Sequence, residues 1–261
     1  IIPLQSTSSW RTFVTKYNKI AVVSGASRGI GAATARMLGE KGYIICVNYQ
    51  EAKAAAAAVV TEIIDGGSHA IAVQADVSNA SDVSRLFETV DTELGTLDAL
   101  VNNAGIVGPR CRFESLPIEE LAKVLAINVT GLARCTQEAV LRMSTRHGGS
   151  GGAIVNVSSG AAHRGNPGGA VHYAVSKGAV NSLTIGLSQE LADEGIRVNT
   201  VSPGLTATDM PDPDVLASAG PTIPMGRVGE AEEIAAAIVW LLSDQASYVA
   251  GANLRVAGGR P

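Results

Sequence analysis

Two groupings of residues in this 261-residue chain could do chemistry. Tyr173 and Lys177 stand four apart in HYAVSKG, and on a helix that spacing projects both side chains from one face. A phenol, with a pKa of about 10, is a poor acid or base at neutral pH. A lysine ammonium close by favours the phenolate and draws its pKa toward the working range. Taken alone, a Tyr/Lys pair at helical spacing is more often an ordinary surface pair. The second grouping is SGASRGIG, residues 24–31. Its glycines let the backbone turn sharply, bring N–H groups close to a phosphate and pack helix against strand, while the helix N-terminus favours the anion. The spacing G-x-x-x-G-x-G differs from the common dinucleotide pattern, and no Gly-Lys-Ser/Thr closes it as in a P-loop. A tight turn without a ligand is the plainer alternative.

Both groupings need rigid elements behind them. From Lys19 onward, short β-branched runs alternate with Ala-rich or amphipathic stretches. The strand candidates are Ile20–Ser24, Tyr43–Asn48, Ala70–Gln74, Ala99–Asn102, Ala153–Val157, Arg197–Val201 and Asn253–Val256. They are apolar on both faces, as in a buried parallel sheet. The helix candidates are Gly31–Lys41, Ala52–Asp65, Ser81–Leu94, Ile118–Arg146, Val171–Glu194 and Ala231–Leu242. Asn79 or Ser81 is placed to cap the third helix, and Pro117 with Glu119 and Glu120 reads as a helical first turn. Such alternation predicts right-handed crossovers and an α/β fold, a doubly wound Rossmann-type parallel sheet of about seven strands flanked by helices. Residues 148–152, GGSGG, read as a tight stop, and 203–229 as one long loop. The reading is a single domain over 19–261 behind an irregular arm, 1–18, in which no secretory apolar stretch is found.

Composition narrows the function classes. The chain is 46% hydrophobic and 17% charged, with 29 glycines that follow no period of three, which excludes long disordered and collagen-like sequence. A formal net charge of −4, from 20 basic and 24 acidic residues of mixed order, leaves no basic cluster for nucleic acid or a membrane surface. The apolar runs fall far short of a membrane span. Cys46, Cys111 and Cys135 lack C-x-x-C spacing, and the four histidines show no ligand spacing. A cytoplasmic protein in a reducing compartment, with no metal site, is expected.

SGASRGIG, then Asn102-Asn103-Ala104-Gly105, then Tyr173-x-x-x-Lys177 resemble the short-chain dehydrogenase/reductase family in its classical form. The likeness runs from about Lys19 to Gly259. Asp76-Val77, Asn128 in INVTG, Pro203-Gly204 and Gly258-Gly259 are further matches. Within the family, the chain looks most similar to the 3-oxoacyl-carrier-protein reductase and glucose 1-dehydrogenase branches. The resemblance implies an NAD(P)-dependent oxidoreductase that interconverts a secondary alcohol and a ketone by hydride transfer. Tyr173 would exchange the proton, and Lys177 would hold the nicotinamide ribose and lower the phenol's pKa. Ser159 would orient the substrate oxygen, and Asn128 would support a proton relay. Ser158 is the neighbouring candidate and is assigned to a cap or the core. Ser159 lies one residue further from Tyr173 than is usual, which suggests an insertion at 164–169.

For the cofactor, the resemblance implies contacts from Gly25, Ser27, Arg28, Gly29, Ile30 and Gly31 in the turn. Asn48 and Tyr49 would follow at the end of the second strand, and Asp76 at the adenine edge beside Val77. Asn103, Ala104 and Gly105 would line the site with Tyr173 and Lys177. Pro203, Gly204 and Thr206 would bracket the carboxamide, and Thr208 would lie near the pyrophosphate. NAD users in the family carry a carboxylate at the position that counting assigns to Tyr49. Its absence, with Arg28 placed to meet a 2′-phosphate, favours NADP over NAD; Glu51 stands to oppose this.

The expected activity is an NADPH-preferring carbonyl or 3-oxoacyl reductase. The alternatives are a glucose-type sugar dehydrogenase, a dinucleotide-binding protein with little turnover, and another Rossmann enzyme such as a methyltransferase. The partner is a small carbonyl or alcohol, and the resemblance implies a homotetramer joined through 118–146, 171–194 and the C-terminal region. Substrate specificity is expected from Ile106–Glu114, 160–171 and 205–229, the last carrying Met210, Leu216, Ile223 and Met225 beside Asp209, Asp212 and Asp214. The glycosylation patterns at Asn79, Asn128 and Asn156, the histidines His163 and His172 and the thiol Cys111 are read as bystanders.

Overall fold

The computed structural model describes residues 19–210 and 213–260. The arm expected at 1–18, Asp212 and the last residue lie outside them. Seven strands form one sheet: β1 (Ile20–Val23), β2 (Ile44–Tyr49), β3 (Ala70–Gln74), β4 (Ala99–Asn102), β5 (Gly152–Val157), β6 (Ile196–Pro203) and, last in the chain, β9 (Asn253–Val256). Their order is β3-β2-β1-β4-β5-β6-β9, and every neighbouring pair is parallel. The strand order reverses between β1 and β4, and the crevice outside the carboxyl ends there is where an open α/β sheet receives a ligand.

Side chains alternate across the sheet. Ala21, Val23, Ile45 and Val47 face α1 (Gly29–Glu40), α2 (Lys53–Asp65) and α9 (Ala231–Leu242), where Leu38, Ile63 and Ile238 complete one core. Val22, Ile44, Cys46 and Leu100 face the other way. They meet α3 (Ala80–Glu93), α5 (Leu132–Met143) and α7 (Val171–Glu190) through Phe87, Met143 and Leu187. The Asn79 side chain caps α3 by accepting from the Asp82 N–H at 3.2 Å. Pro117 immediately precedes α4 (Ile118–Leu125), whose first turn carries Glu119 and Glu120.

Three expectations change. The single helix expected over 118–146 is split: α4 passes into a π-helical segment, Ala126–Gly131, and then into α5, and a 3₁₀ turn at Thr145–His147 follows. The widened turn places Asn128 so that its amide engages the Ile106 backbone; such π segments occur most often at functional sites. The helix expected to run to Glu194 ends at Glu190, ahead of a 3₁₀ turn. The stretch expected as one loop holds a two-strand pairing, β7 (Thr206–Ala207) with β8 (Gly229–Glu230), and α8 (Pro213–Ala219). A further short helix, α6 (Ala161–Arg164), follows Ser159. Among the described residues no helix is long and apolar enough to cross a membrane. All three cysteines are unpaired, and burial pushes the Cys46 and Cys135 thiols up to about 12.

Candidate active site

The turn from β1 into α1 opens a cleft of about 730 Å³ at the switch point. Gly25 adopts φ +61°, and a Cβ there would come 2.9 Å from the Ala104 Cα. Gly29, at φ +54°, lies against Thr208. Both conformations suit glycine and exclude most other residues. Behind the turn, the Ser24 hydroxyl accepts from the N–H groups of Asn103 and Ala104, each at 3.0 Å. The Asn103 amide donates to the Ser24 and Gly25 carbonyls, also at 3.0 Å. No acidic residue occupies the first turn of α1, so its N-terminal dipole is left for an outside anion.

Of the residues expected to touch a cofactor, Gly25, Ser27, Arg28, Gly29, Ile30, Asn48, Asp76, Val77, Asn103, Ala104, Gly105 and Thr208 line this cleft. Gly31 does not: a Cβ on it would come 2.5 Å from both the Asn103 Nδ2 and the Gly25 carbonyl oxygen, so it serves the close packing of turn on strand. Tyr49 is a correction. Its side chain is 3% exposed and sits in the core between sheet and helices. The positions facing the cleft after β2 are Gln50, Glu51 and Ala52. Gln50 donates to the Asp76 Oδ2 at 3.0 Å, while the Asp76 Oδ1 accepts from the Ser78 N–H and hydroxyl. Pro203, Gly204 and Thr206 lie outside the cleft lining. Pro203 accepts from the Gly160 N–H, Gly204 packs so tightly on Ala257 that a Cβ would meet its Cα at 2.7 Å, and the Thr206 hydroxyl donates to the Gly204 carbonyl.

The sequence reading of the cofactor site missed Gln50, Ala52, Ala75, Ile106, Val107, Gly108, Ile127, Asp209 and Met210, all of which line the cleft. Five of these, Ile106–Gly108, Asp209 and Met210, fall in segments read as substrate-facing. Ile127 had its signal in the neighbouring Asn128.

Tyr173, Lys177, Ser159 and Asn128 gather just beyond the cleft wall at Gly105, where a Cβ would lie 3.1 Å from the Asn128 Oδ1 and 3.5 Å from the Lys177 Nζ. Ser159 neighbours the Tyr173 phenol and lowers its pKa, and the Ser159 hydroxyl accepts from the Ala161 N–H at 3.1 Å. Ser158 is buried and donates to the Lys177 carbonyl at 3.1 Å, tying β5 to α7. Lys177 is 4% exposed. Its Nζ donates to the Val157 carbonyl at 2.7 Å and lies 5.7 Å from the Tyr173 ring centroid. Burial lowers its pKa to about 8. Asn128 is fully buried and satisfied: it exchanges two hydrogen bonds with the Ile106 backbone, at 2.8 and 2.9 Å, and donates to the Ser176 hydroxyl at 3.0 Å.

Burial holds the Tyr173 phenol above its ordinary value, and the neighbouring Ser159 hydroxyl offsets only part of that. Lys177 is turned onto the Val157 carbonyl.

The donor set fits a dinucleotide. A glycine cradle and a helix N-terminus suit the pyrophosphate, Ile30, Val77 and Ile127 offer apolar walls, and the volume lies in the range of ligand sites. Comparison with known proteins agrees. The family model adh_short_C2, described as Enoyl-(Acyl carrier protein) reductase, matches residues 25–260. An oxidoreductase of Escherichia coli K12, YgfF, described as uncharacterized, is 50% identical over 92% of this chain and 99% of its own. The 3-oxoacyl-[acyl-carrier-protein] reductase of Synechocystis is 40% identical over 92% of this chain and 96% of its own. A solved short-chain dehydrogenase from Burkholderia cenocepacia, in complex with NADP, superposes with a TM-score of 0.86 at 35% identity, over 92% of this chain and 97% of that one. With its doubly wound sheet, its glycine-rich turn and these relatives, the chain belongs to the short-chain dehydrogenase/reductase family of oxidoreductases.

Proposed function

We propose that this enzyme reduces a ketone to a secondary alcohol with NADPH in preference to NADH, with a 3-oxoacyl thioester or a similar small carbonyl compound as its substrate class. The observation that carries the reading is the gathering of Tyr173, Ser159 and Lys177 at the end of the cleft, the Lys177 Nζ 5.7 Å from the Tyr173 ring centroid. When bound, the reduced nicotinamide supplies a hydride to the carbonyl carbon. Tyr173 gives its phenolic proton to the carbonyl oxygen, so the C=O bond becomes CH–OH and the phenol becomes phenolate. Ser159 donates a hydrogen bond to the same oxygen as charge develops on it. Lys177, largely protonated at neutral pH with a pKa of about 8, stabilises the phenolate and holds the ribose. Asn128 is a positioning residue: through Ile106 it fixes the wall between Lys177 and the cleft, and it supports reprotonation.

For the cofactor, Gly25, Ser27, Gly29, Ile30 and Thr208 would hold the pyrophosphate, and Asp76 and Val77 the adenine. Asn48 would brace the turn by accepting from the Gly25 N–H at 3.1 Å. NADPH preference is supported by the neutral Gln50 at the end of β2 and by Arg28 at the cleft mouth. The B. cenocepacia relative's complex supports the same choice. A homotetramer, read as cytoplasmic on the family likeness, is the proposed assembly; apolar side chains left exposed on α5, α7 and α9, namely Leu141, Val175, Ile185 and Trp240, support association of copies. Light scattering on the purified chain would give its mass.

Oxidation of NADPH and NADH, followed by absorbance against an acetoacetyl thioester, a diketone and an aromatic ketone, with glucose in the reverse direction, tests the reading. Turnover of the thioester with NADPH supports it. Turnover of glucose alone, or a preference for NADH, contradicts it.

A further inference from the structure

Four charged side chains line the cleft among the described residues: Arg28 is the lone cation, against Glu51, Asp76 and Asp209. Asp76 is engaged by Ser78 and Gln50. Asp209 instead reaches across the mouth, its Oδ2 3.9 Å from the Arg28 Nε, with both side chains about 70% exposed. Backbone placement sets this approach, not only a side-chain rotamer. The neighbouring Thr208 methyl stands 3.3 Å from where a Cβ on Gly29 would lie, so the segment after β7 rests on the glycine turn itself.

We propose that Asp209 is a cofactor-specificity residue, competing with the 2′-phosphate of NADP(H) for Arg28 and so limiting the preference for the phosphorylated dinucleotide. This rests on the reading that Arg28 meets that phosphate. A carboxylate and a phosphate engage the same planar N–H donors of a guanidinium; with Asp209 at the Nε edge, part of that donor set and part of its charge is withheld from a phosphate. NAD(H) has no phosphate at that position and is indifferent to the contest. An exposed, screened pair at this distance is weak, so releasing Arg28 should change affinity by about threefold rather than by orders of magnitude.

The test is a cycle of dissociation constants for NADPH and NADH, read from nicotinamide fluorescence on the full chain. It uses the wild type, Asp209→Asn, Arg28→Gln and the double variant, with circular dichroism melts as the folding control. Asp209→Asn should tighten NADPH by about threefold and leave NADH unchanged, the gain shrinking as salt rises. In the Arg28→Gln background the same substitution should do nothing. Equal effects on both cofactors, or an undiminished gain without Arg28, would overturn the competition. If Arg28→Gln weakens NADPH selectively while Asp209→Asn changes nothing, the phosphate reading stands and this proposal alone falls. If Arg28→Gln leaves the NADPH-to-NADH ratio unchanged, both fall.

Discussion

Replacing Lys177 with methionine should make the protein more stable and inactive at once. In the folded chain the ammonium is buried, and its pKa falls from 10.5 to about 8. At about 1.4 kcal/mol per tenfold, that gap means the folded protein carries the charge at neutral pH at a cost of about 3 kcal/mol relative to the unfolded chain. Methionine has similar length and no charge, but it leaves the Val157 carbonyl without its 2.7 Å donor, a loss of about 1–2 kcal/mol. The balance favours the variant by about 1–2 kcal/mol, a rise in Tm of roughly 2–8 °C for a domain of this size.

The sign has a pH signature. The wild type bears its penalty in full below about 8, where the lysine is charged both folded and unfolded. Between about 8 and 10.5 the folded lysine gives up its proton first, so wild-type stability rises with pH and the variant's advantage fades. Melts by circular dichroism at one scan rate, from pH 6.5 to 10, read this directly. A variant less stable at pH 7, or an advantage that does not change with pH, would refute the burial argument.

Three further outcomes follow from the geometry. Gly31→Ala puts a methyl 2.5 Å from both the Asn103 Nδ2 and the Gly25 carbonyl oxygen; it should destabilise the fold by about 2 kcal/mol or more and weaken both dinucleotides in fluorescence titration. Asn128→Ala removes three buried hydrogen bonds and should cost about 2–4 kcal/mol in urea unfolding, lowering kcat more than it raises the cofactor Kd. Gln50→Glu puts a carboxylate beside Asp76 at the adenosine end and should move the NADPH-to-NADH ratio of kcat/KM toward NADH by about tenfold.

The sheet was legible because parallel strands buried on both faces read as continuous apolar runs; Ile20–Val23 and Ile44–Val47 could hardly be anything else. The start of α9 was legible too, because Glu230, Glu232 and Glu233 mark a first turn ahead of an apolar run, and the Glu230 and Glu233 side chains form its capping box. The split at Asn128 was not. Its local sequence favours an unbroken helix, and the widened turn depends on the Ile106 backbone, 22 residues away. Tyr49 was misplaced for a related reason: counting from the glycine turn fixes a distance along the chain, but the facing of the side chain at the strand end depends on the core that receives it. The family resemblance is what picks Ser159 over Ser158: adjacent residues at a strand end point opposite ways, but the alternation does not say which one faces the site. Asp209 stands out in the sequence only as an acidic member of 205–229; its approach to Arg28 was not legible, because only the fold brings the two together.

The central claim is that Tyr173 carries the proton while the cofactor cleft stands on its own. It is tested most directly by Tyr173→Phe, measuring kcat with NADPH and the best carbonyl substrate alongside the NADPH dissociation constant. The account predicts that kcat falls by about 10²–10⁴ while the dissociation constant changes less than about threefold. A variant that keeps its kcat, or one that loses NADPH binding in step with activity, would contradict it.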